Sequence, residues 1–222
     1  MIIAIDGPAG SGKSTTARAV ARRLGFHHLE SGAFYRALTY AALRAGLPVE
    51  RWPELEASAL DALNVHARPA DGAFRLFIGE EDVTEFLRSP EVTAHVSQMA
   101  RVPAVREWLL SQLREAGRTT DLVCDGRDMG TVVFPEAELK IFLTASPETR
   151  ARRRLAEQGV TDPDPAELAA EVERLLTRDR LDTEREVAPL RRAADAVLLD
   201  TTALDFEAQV EAVVRLAESR RR

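Results

Sequence analysis

Lysine is almost missing from this chain. Of its 30 basic residues only Lys13 and Lys140 are lysines, and arginine carries every other fixed positive charge. Cysteine occurs once, at Cys124, which excludes an internal disulfide and fits a buried thiol in a reducing, cytoplasmic setting. Asparagine also occurs once, as Asn64 followed by Val65, so the N-K-x-D element with which GTPases read guanine is absent. No apolar run approaches the length of a membrane span, and residues 1–5 are too short for a secretory apolar region. The net charge of -6 argues against a nucleic-acid polymer or an anionic membrane as partner. With 222 residues, the chain can bury one substantial core carrying inserted subdomains.

What is present alternates short apolar runs with longer amphipathic stretches, the pattern of an α/β fold with a parallel sheet. Strands are predicted at 2–6, 26–30, 121–125, 139–144 and 195–200. Pro103 opens a predicted helix that Gly117 should stop, and Ser146-Pro147-Glu148 opens another ending at Gly159. Asp164 with Glu167 three residues on predicts a capping box and a helix towards residue 184; a last helix should follow Asp205. Residues 63–88 break the rhythm with turn signals at Asp71-Gly72 and Gly79, predicting an antiparallel insert between the second and third core strands. Residues 157–168 form an irregular segment between two arginine-bearing helices, which reads equally as a mobile loop and as a plain interhelical turn.

The residues Gly7, Pro8, Ala9, Gly10, Ser11, Gly12, Lys13 and Ser14 fit the phosphate-binding pattern G-x-x-x-x-G-K-S/T, between an apolar strand and a helix. Glycines let successive backbone N–H groups point into one concavity, and the helix N-terminus adds its dipole. A lysine supplies a compact charge that reaches β- and γ-phosphates, where the broad guanidinium would not fit the same loop. That accounts for a lysine at position 13 in a chain that otherwise avoids it. A nucleoside triphosphate is the expected ligand, with Mg²⁺ on the Ser14 hydroxyl. A second carboxylate is expected at the end of a neighbouring strand, and Asp125 in "LVCDGRD" supplies it.

Four stretches then narrow the class: "IDGPAGSGKST" at 5–15, "SGAFYR" at 31–36, "DGRDMGTVVFP" at 125–135 and "REVAPL" at 185–190. In this order they resemble the bacterial cytidylate kinases of the nucleoside-monophosphate kinase superfamily, from residue 3 through the last helix. The resemblance implies a three-layer P-loop α/β fold with a five-stranded parallel sheet. Its core would comprise about 1–40, 107–156 and 185–222, with a monophosphate-binding insert at about 41–106 holding a small antiparallel sheet. A short lid would cover about 157–184, and the protein would be a monomer. ATP would lie on residues 7–14 and Thr15, with Arg150 near adenine and Arg154 near the transferring phosphates. Arg36, Arg127 and Arg185 would hold the monophosphate of CMP or dCMP; Ser97, Arg106 and Asp128 would read cytosine. Arg178 and Asp182 would contact the sugar, with Ser31 and Tyr35 lining the same site. Mg²⁺ would be held by Ser14 and, through water, by Asp125.

The chemistry of these residue types agrees, since arginine forks suit bidentate phosphate contacts and a carboxylate accepts from the cytosine amino group. Positions 178, 182 and 185 share one face if a helix continues through them. Leu181 and Thr183 stand where relatives commonly carry basic residues. Without the resemblance, residues 178–185 also read as a solvated salt-bridge face, and the run 150–154 as ordinary surface. The four histidines show no metal-ligand spacing, and Trp52 and Trp108 read as packing residues. A kinase of another monophosphate, UMP or AMP, is the nearest alternative; a P-loop switch that transfers no phosphate is the more distant one.

Overall fold

Ile3, Ala4 and Ile5 are consecutive and all fully buried, so the first strand has apolar neighbours on both faces, as parallel strands do. The computed structural model describes residues 1–221. In chain order its elements are β1 (Ile2–Asp6), α1 (Lys13–Leu24), β2 (His27–Glu30), α2 (Ser31–Arg44), α3 (Ala57–Ala62), β3 (Val65–Ala70), β4 (Ala73–Ile78) and β5 (Glu81–Asp82). There follow α4 (Pro90–Met99), α5 (Pro103–Thr119), β6 (Leu122–Gly126), β7 (Leu139–Thr144), α6 (Pro147–Glu157), α7 (Pro165–Glu184), β8 (Val197–Asp200) and α8 (Phe206–Arg220). The chain divides into two compact units, Met1–Phe26 with Leu122–Arg222, and His27–Asp121.

In the first unit β1 lies between β6 and β7, all parallel, with Ile3 opposite both Val123 and Leu139. Strand β8 adds to β7 in parallel through Ile141 and Val197. One face is covered by α1 and α8. Ala17, Val20 and Ala21 recur at helical spacing on the first, and Val210, Val213, Val214 and Ala217 on the second. They pack with Ile3, Ile5, Val123, Ile141 and Leu143 into one buried cluster. Each such aliphatic side chain contributes about 1.5–3 kcal/mol by leaving water. This rigid sheet fixes the carboxyl ends of β1, β6 and β7, where ligands bind in such folds.

In the second unit β2 runs parallel to β4 through His28 and Ala73, and β4 pairs antiparallel with β3 and β5. The expected insert at 41–106 lies wholly inside this unit. Its hairpin turns at Asp71, with φ 49°, and Gly72. The patch at 63–88 is thus not antiparallel throughout, because β4 also carries a parallel partner. Trp52 is 1% exposed and packs as expected. Trp108 donates its indole N–H to Asp61 at 2.7 Å.

One helix boundary departs from the sequence reading. Helix α5 runs through Gly117 to Thr119 instead of stopping. A helical glycine costs only about 1 kcal/mol, and the buried stripe of Val105, Leu109 and Leu113 holds the helix together. Helix α7 ends at Glu184, as expected, and Arg185 beyond it is extended at φ -65°, ψ 141°, so positions 178, 182 and 185 do not share one helical face. Pro189 offers no N–H to the Arg185 carbonyl and disfavours helical geometry at Ala188, which sits at φ 50°. The capping box at Asp164 is present, with the Ala166 and Glu167 N–H groups on its carboxylate and Glu167 accepting from the Asp164 N–H. Among the described residues no helix is long and apolar enough to cross a membrane.

Candidate active site

The loop from Gly7 to Gly12 is folded by constraints that only its own residues meet. At Gly7, φ is 152° and a Cβ would sit 2.0 Å from the carbonyl oxygen of Leu143, so any side chain is excluded. The loop ends at Gly12, whose φ of 87° turns the chain into α1. Helices α4, α6, α7 and α8 begin with a Ser or Asp side chain accepting from first-turn N–H groups. Helix α1 begins with no side-chain cap and no acidic residue in its first turn. Its amides and dipole therefore present positive potential at the loop, the setting for an anion.

Lys13 is 6% exposed and reaches back across the loop, its Nζ donating to the Pro8 carbonyl at 2.7 Å and lying 3.5 Å from Ser11 Oγ. Burial first, and then the charges of Arg127 and Arg178, push the Lys13 ammonium well below the ordinary lysine range, with Asp125 and Asp6 acting the other way. Anionic charge placed beside it would reverse that shift. At the first turn of α1, Ser14 Oγ donates to Asp125 Oδ2 at 2.6 Å, joining helix α1 to the end of β6. These two hard oxygen donors suit Mg²⁺, which uses one or two protein ligands and takes the rest from phosphates and water. Among the described residues no three His, Cys, Asp or Glu side chains converge as for a self-sufficient metal cage. Cys124, buried in β6, donates to the Ile3 carbonyl at 3.5 Å, and burial drives its thiol well above the usual range, so it is an inert packing group.

The loop tip is clasped from α6 and α7. Arg150, 4% exposed, donates to the Ala9 carbonyl at 2.9 Å and to Asp179 Oδ2 at 2.5 Å, while Asp179 Oδ1 accepts from the Ala9 N–H at 2.9 Å. Leu175, one turn before Asp179, packs on Ala9 and Ala151. Asp179 is a residue that sequence reasoning passed over. It lies 170 positions from its partner Ala9, and no local pattern announces the contact. Arg154 pairs with Glu157 at 2.9 Å on its own helix. Its neighbour Arg153 instead turns to the loop, with a long 3.4 Å bond to the Ser11 carbonyl and firmer ones to Thr201 Oγ1 and the Thr201 carbonyl at 3.0 and 2.8 Å. Thr15 Oγ1 bonds to the Gly12 carbonyl at 2.9 Å, and Thr16 Oγ1 bonds both to that carbonyl and to Gln209 of α8.

Beyond β6 the segment 127–134 carries the expected acceptor residues. Arg127 Nε donates to Asp182 Oδ2 at 2.7 Å. Arg185 lies 3.9 Å from Asp182 Oδ1 and 4.0 Å from Asp128 Oδ1, although it is off the helix, and its Nε bonds to the Ala188 carbonyl at 2.6 Å. Burial alone would raise the Asp182 pKa, but Arg127, with Arg178 and Arg185 behind it, holds the carboxyl below the usual range. Arg127, Asp182, Arg185 and Asp128 thus form one connected charge group, which a phosphate could enter by replacing carboxylate contacts. Residues Met129–Val133 form a single wide turn of π-helical type, in which Val133 N–H bonds to the Asp128 carbonyl at 3.1 Å. Such turns occur often at functional sites.

Ser31, Tyr35, Arg36, Ser97 and Arg106 belong to the second unit. Ser31 is buried and begins α2; Tyr35 follows one turn later. Arg106, 7% exposed, donates to the Ala100 carbonyl at 3.2 Å and lies 5.8 Å from the Tyr35 ring centroid. Arg36 donates to the Leu87 carbonyl at 3.1 Å and to Thr93 Oγ1 at 2.9 Å. Ser97, exposed, lies one turn beyond Thr93 on α4 and shares its face.

The comparison with known proteins follows these motifs over the whole length. The family model described as "Cytidylate kinase" matches residues 3–219. A cytidylate kinase from an Exiguobacterium species is 47% identical over 97% of this chain and 96% of its own. One from Pseudomonas aeruginosa is 46% identical over 98% and 95%, and one from Streptococcus thermophilus 43% identical over 97% and 95%. A solved structure of an uncharacterized protein from Eubacterium ventriosum superposes with a TM-score of 0.54 at 12% identity, covering 99% of this chain and 98% of that one. That likeness shows the fold alone. With a family match over nearly all its length and relatives this close, the chain belongs to the cytidylate kinase family.

Proposed function

We propose that this enzyme transfers the γ-phosphoryl group of ATP to CMP or dCMP, giving ADP and CDP or dCDP, in pyrimidine nucleotide metabolism. The observation that carries the reading is the gathering, in one unit, of a buried lysine in a phosphate loop, the Ser14–Asp125 pair and the Arg127–Asp182–Arg185 group. Phosphoryl transfer needs little from the protein besides positioning two anions and stabilising the charge that spreads over the transferring oxygens. Lys13 and the loop amides hold the β- and γ-phosphates. Ser14 and Asp125, the latter through water, would hold Mg²⁺, which would supply positive charge against the phosphates. Arg127, Arg185 and Arg36 take the acceptor phosphate; Arg178 and Asp182 take the sugar, and Arg150 lies towards adenine. Arg154 needs only to exchange Glu157 for a phosphate to act on the donor.

The base assignment rests on Asp128 with Ser97 and Arg106. A carboxylate only accepts hydrogen bonds, which suits the N4 amino group of cytosine and opposes the O4 of uracil. Asp128→Asn offers donors as well and should relax that rejection. The CMP/UMP ratio of kcat/KM is expected to fall about ten- to a hundredfold, the worth of one good base contact at ~1–3 kcal/mol. Most of the loss should appear with CMP. Steady-state kinetics with both nucleotides on both proteins checks it, and an unchanged ratio would remove Asp128 from base reading.

A further inference from the structure

Ala9 stands near the tip of the phosphate loop, and side chains from two distant helices hold both of its backbone groups. Asp179 of α7 accepts its N–H through Oδ1 at 2.9 Å, and Arg150 of α6 donates through Nη1 to its carbonyl at 2.9 Å. The same Nη1 donates to Asp179 Oδ2 at 2.5 Å, so a carboxylate, a guanidinium and one loop residue close a ring. Asp6, at the end of β1, gives both carboxylate oxygens to amides, those of Met129 and Gly130, at 2.8 Å each. That arrangement braces backbone. Asp179 divides its oxygens between an amide and a cation, and so fixes a side chain as well.

The loop is wedged against the same two helices by apolar contact. Leu175, four residues before Asp179 and on its face of α7, packs on Ala9 and Ala151. A Cβ at Gly10 would lie 3.1 Å from the Arg150 carbonyl oxygen, 3.2 Å from Arg150 Cβ and 3.4 Å from Leu175 Cδ1. The side chains of Arg150 and Asp179 are 5% and 17% exposed, so neither charge can turn freely to water. A buried guanidinium keeps its place only while its charge is matched. Without Asp179, Arg150 would be driven from its position and the Ala9 N–H would lose its acceptor.

We propose that Asp179 is a positioning residue of the ATP site, holding the Arg150 guanidinium and the tip of the phosphate loop in register with each other. The idea rests on the assignment of residues 7–14 and Arg150 to ATP. Asp179 acts through Ala9 and Arg150, with both carboxylate oxygens engaged by protein groups.

The test is a double-mutant cycle between Asp179 and Arg150, read by calorimetric titration as the Kd of a non-hydrolysable ATP analogue, with the Kd of CMP and the Tm measured beside it. Asp179→Ala removes both acceptors. Asp179→Asn keeps an acceptor for the Ala9 N–H but no charge for Arg150, and is the second variant should the first fail to fold. Either is expected to weaken the ATP analogue about tenfold or more, from one buried charged hydrogen bond lost, while CMP stays within about threefold of wild type. Combined with Arg150→Ala, the loss should fall well short of the product of the two separate losses. A role confined to holding α7 would instead lower the Tm and weaken both nucleotides alike, because that helix also bears Arg178 and Asp182; this outcome, or failure of both variants to fold, overturns the proposal. If Arg150→Ala weakens ATP but the Asp179 variants do not, or if the losses multiply in full, the positioning role is wrong and the ATP assignment stands. If Arg150→Ala changes nothing, Arg150 leaves the ATP site and the role of Asp179 falls with it. Turnover of CMP by the wild type, measured separately, decides the phosphoryl-transfer reading whichever way the cycle falls.

Discussion

Lys13→Ala is expected to fold normally and to lose about a hundred- to a thousandfold in kcat, in the range found when one preorganised donor to a charged transition state is removed. The lysine's own hydrogen-bonding contacts lie within the loop, at the Pro8 carbonyl and Ser11 Oγ, and the clasp of Arg150 and Asp179 on Ala9 does not depend on it, so its deletion leaves the sheet and helices in place. Its ammonium is destabilised where it stands, by burial and by Arg127, and gains most when phosphate charge arrives. That gain should grow as charge spreads over the transferring group, which places the loss in kcat more than in KM. Lys13→Arg should not rescue it. Nζ lies 2.7 Å from the Pro8 carbonyl, and a guanidinium is too broad for the same space. Near-normal turnover by either folded variant would remove Lys13 from the reaction.

Arg127→Ala and Arg185→Ala should each raise the KM for CMP by at least thirtyfold, about 2 kcal/mol, while leaving ATP binding within a few-fold. The estimate is the lower end of what removal of one partner from a buried, hydrogen-bonded charge pair costs. Each arginine now lies beside Asp182, so the deletion also leaves that carboxylate with one fewer cation. Calorimetric titration of each variant with a non-hydrolysable ATP analogue and with CMP separates the two sites. Loss of ATP affinity with CMP unaffected would mean that these arginines serve the donor.

The phosphate loop was legible because each of its residues answers to something local. Gly7 can carry no side chain against Leu143, Gly12 needs a left-handed turn, and the strand and helix on either side announce themselves by period. The capping box at Asp164 was legible for the same reason, both partners being three residues apart. Arg185 carried a signal that spacing alone ignored: Pro189 ends the helix, and the side chain reaches Asp182 from an extended backbone. The run 150–154 could not say which arginine faces the loop. Adjacent helical residues point about 100° apart, and α6 turns Arg150 and Arg153 inward and Arg154 to Glu157. Asp179 and Asp6 had no signal of their own, since the backbone amides they serve belong to other segments brought near only by the sheet and by α7. The parallel pairing of β4 with β2 was hidden likewise, because a hairpin pattern describes only the partner next in sequence.

The central claim, that this member of the cytidylate kinase family phosphorylates cytidine monophosphates at the expense of ATP, is tested most directly by ADP release in a coupled assay. ATP and Mg²⁺ are supplied with CMP, dCMP, UMP or AMP in turn. Turnover is expected to depend on added acceptor, to be highest with CMP or dCMP, and to be at least tenfold lower in kcat/KM with UMP and AMP. Highest turnover with UMP or AMP, or ADP release that no nucleotide stimulates, would contradict it.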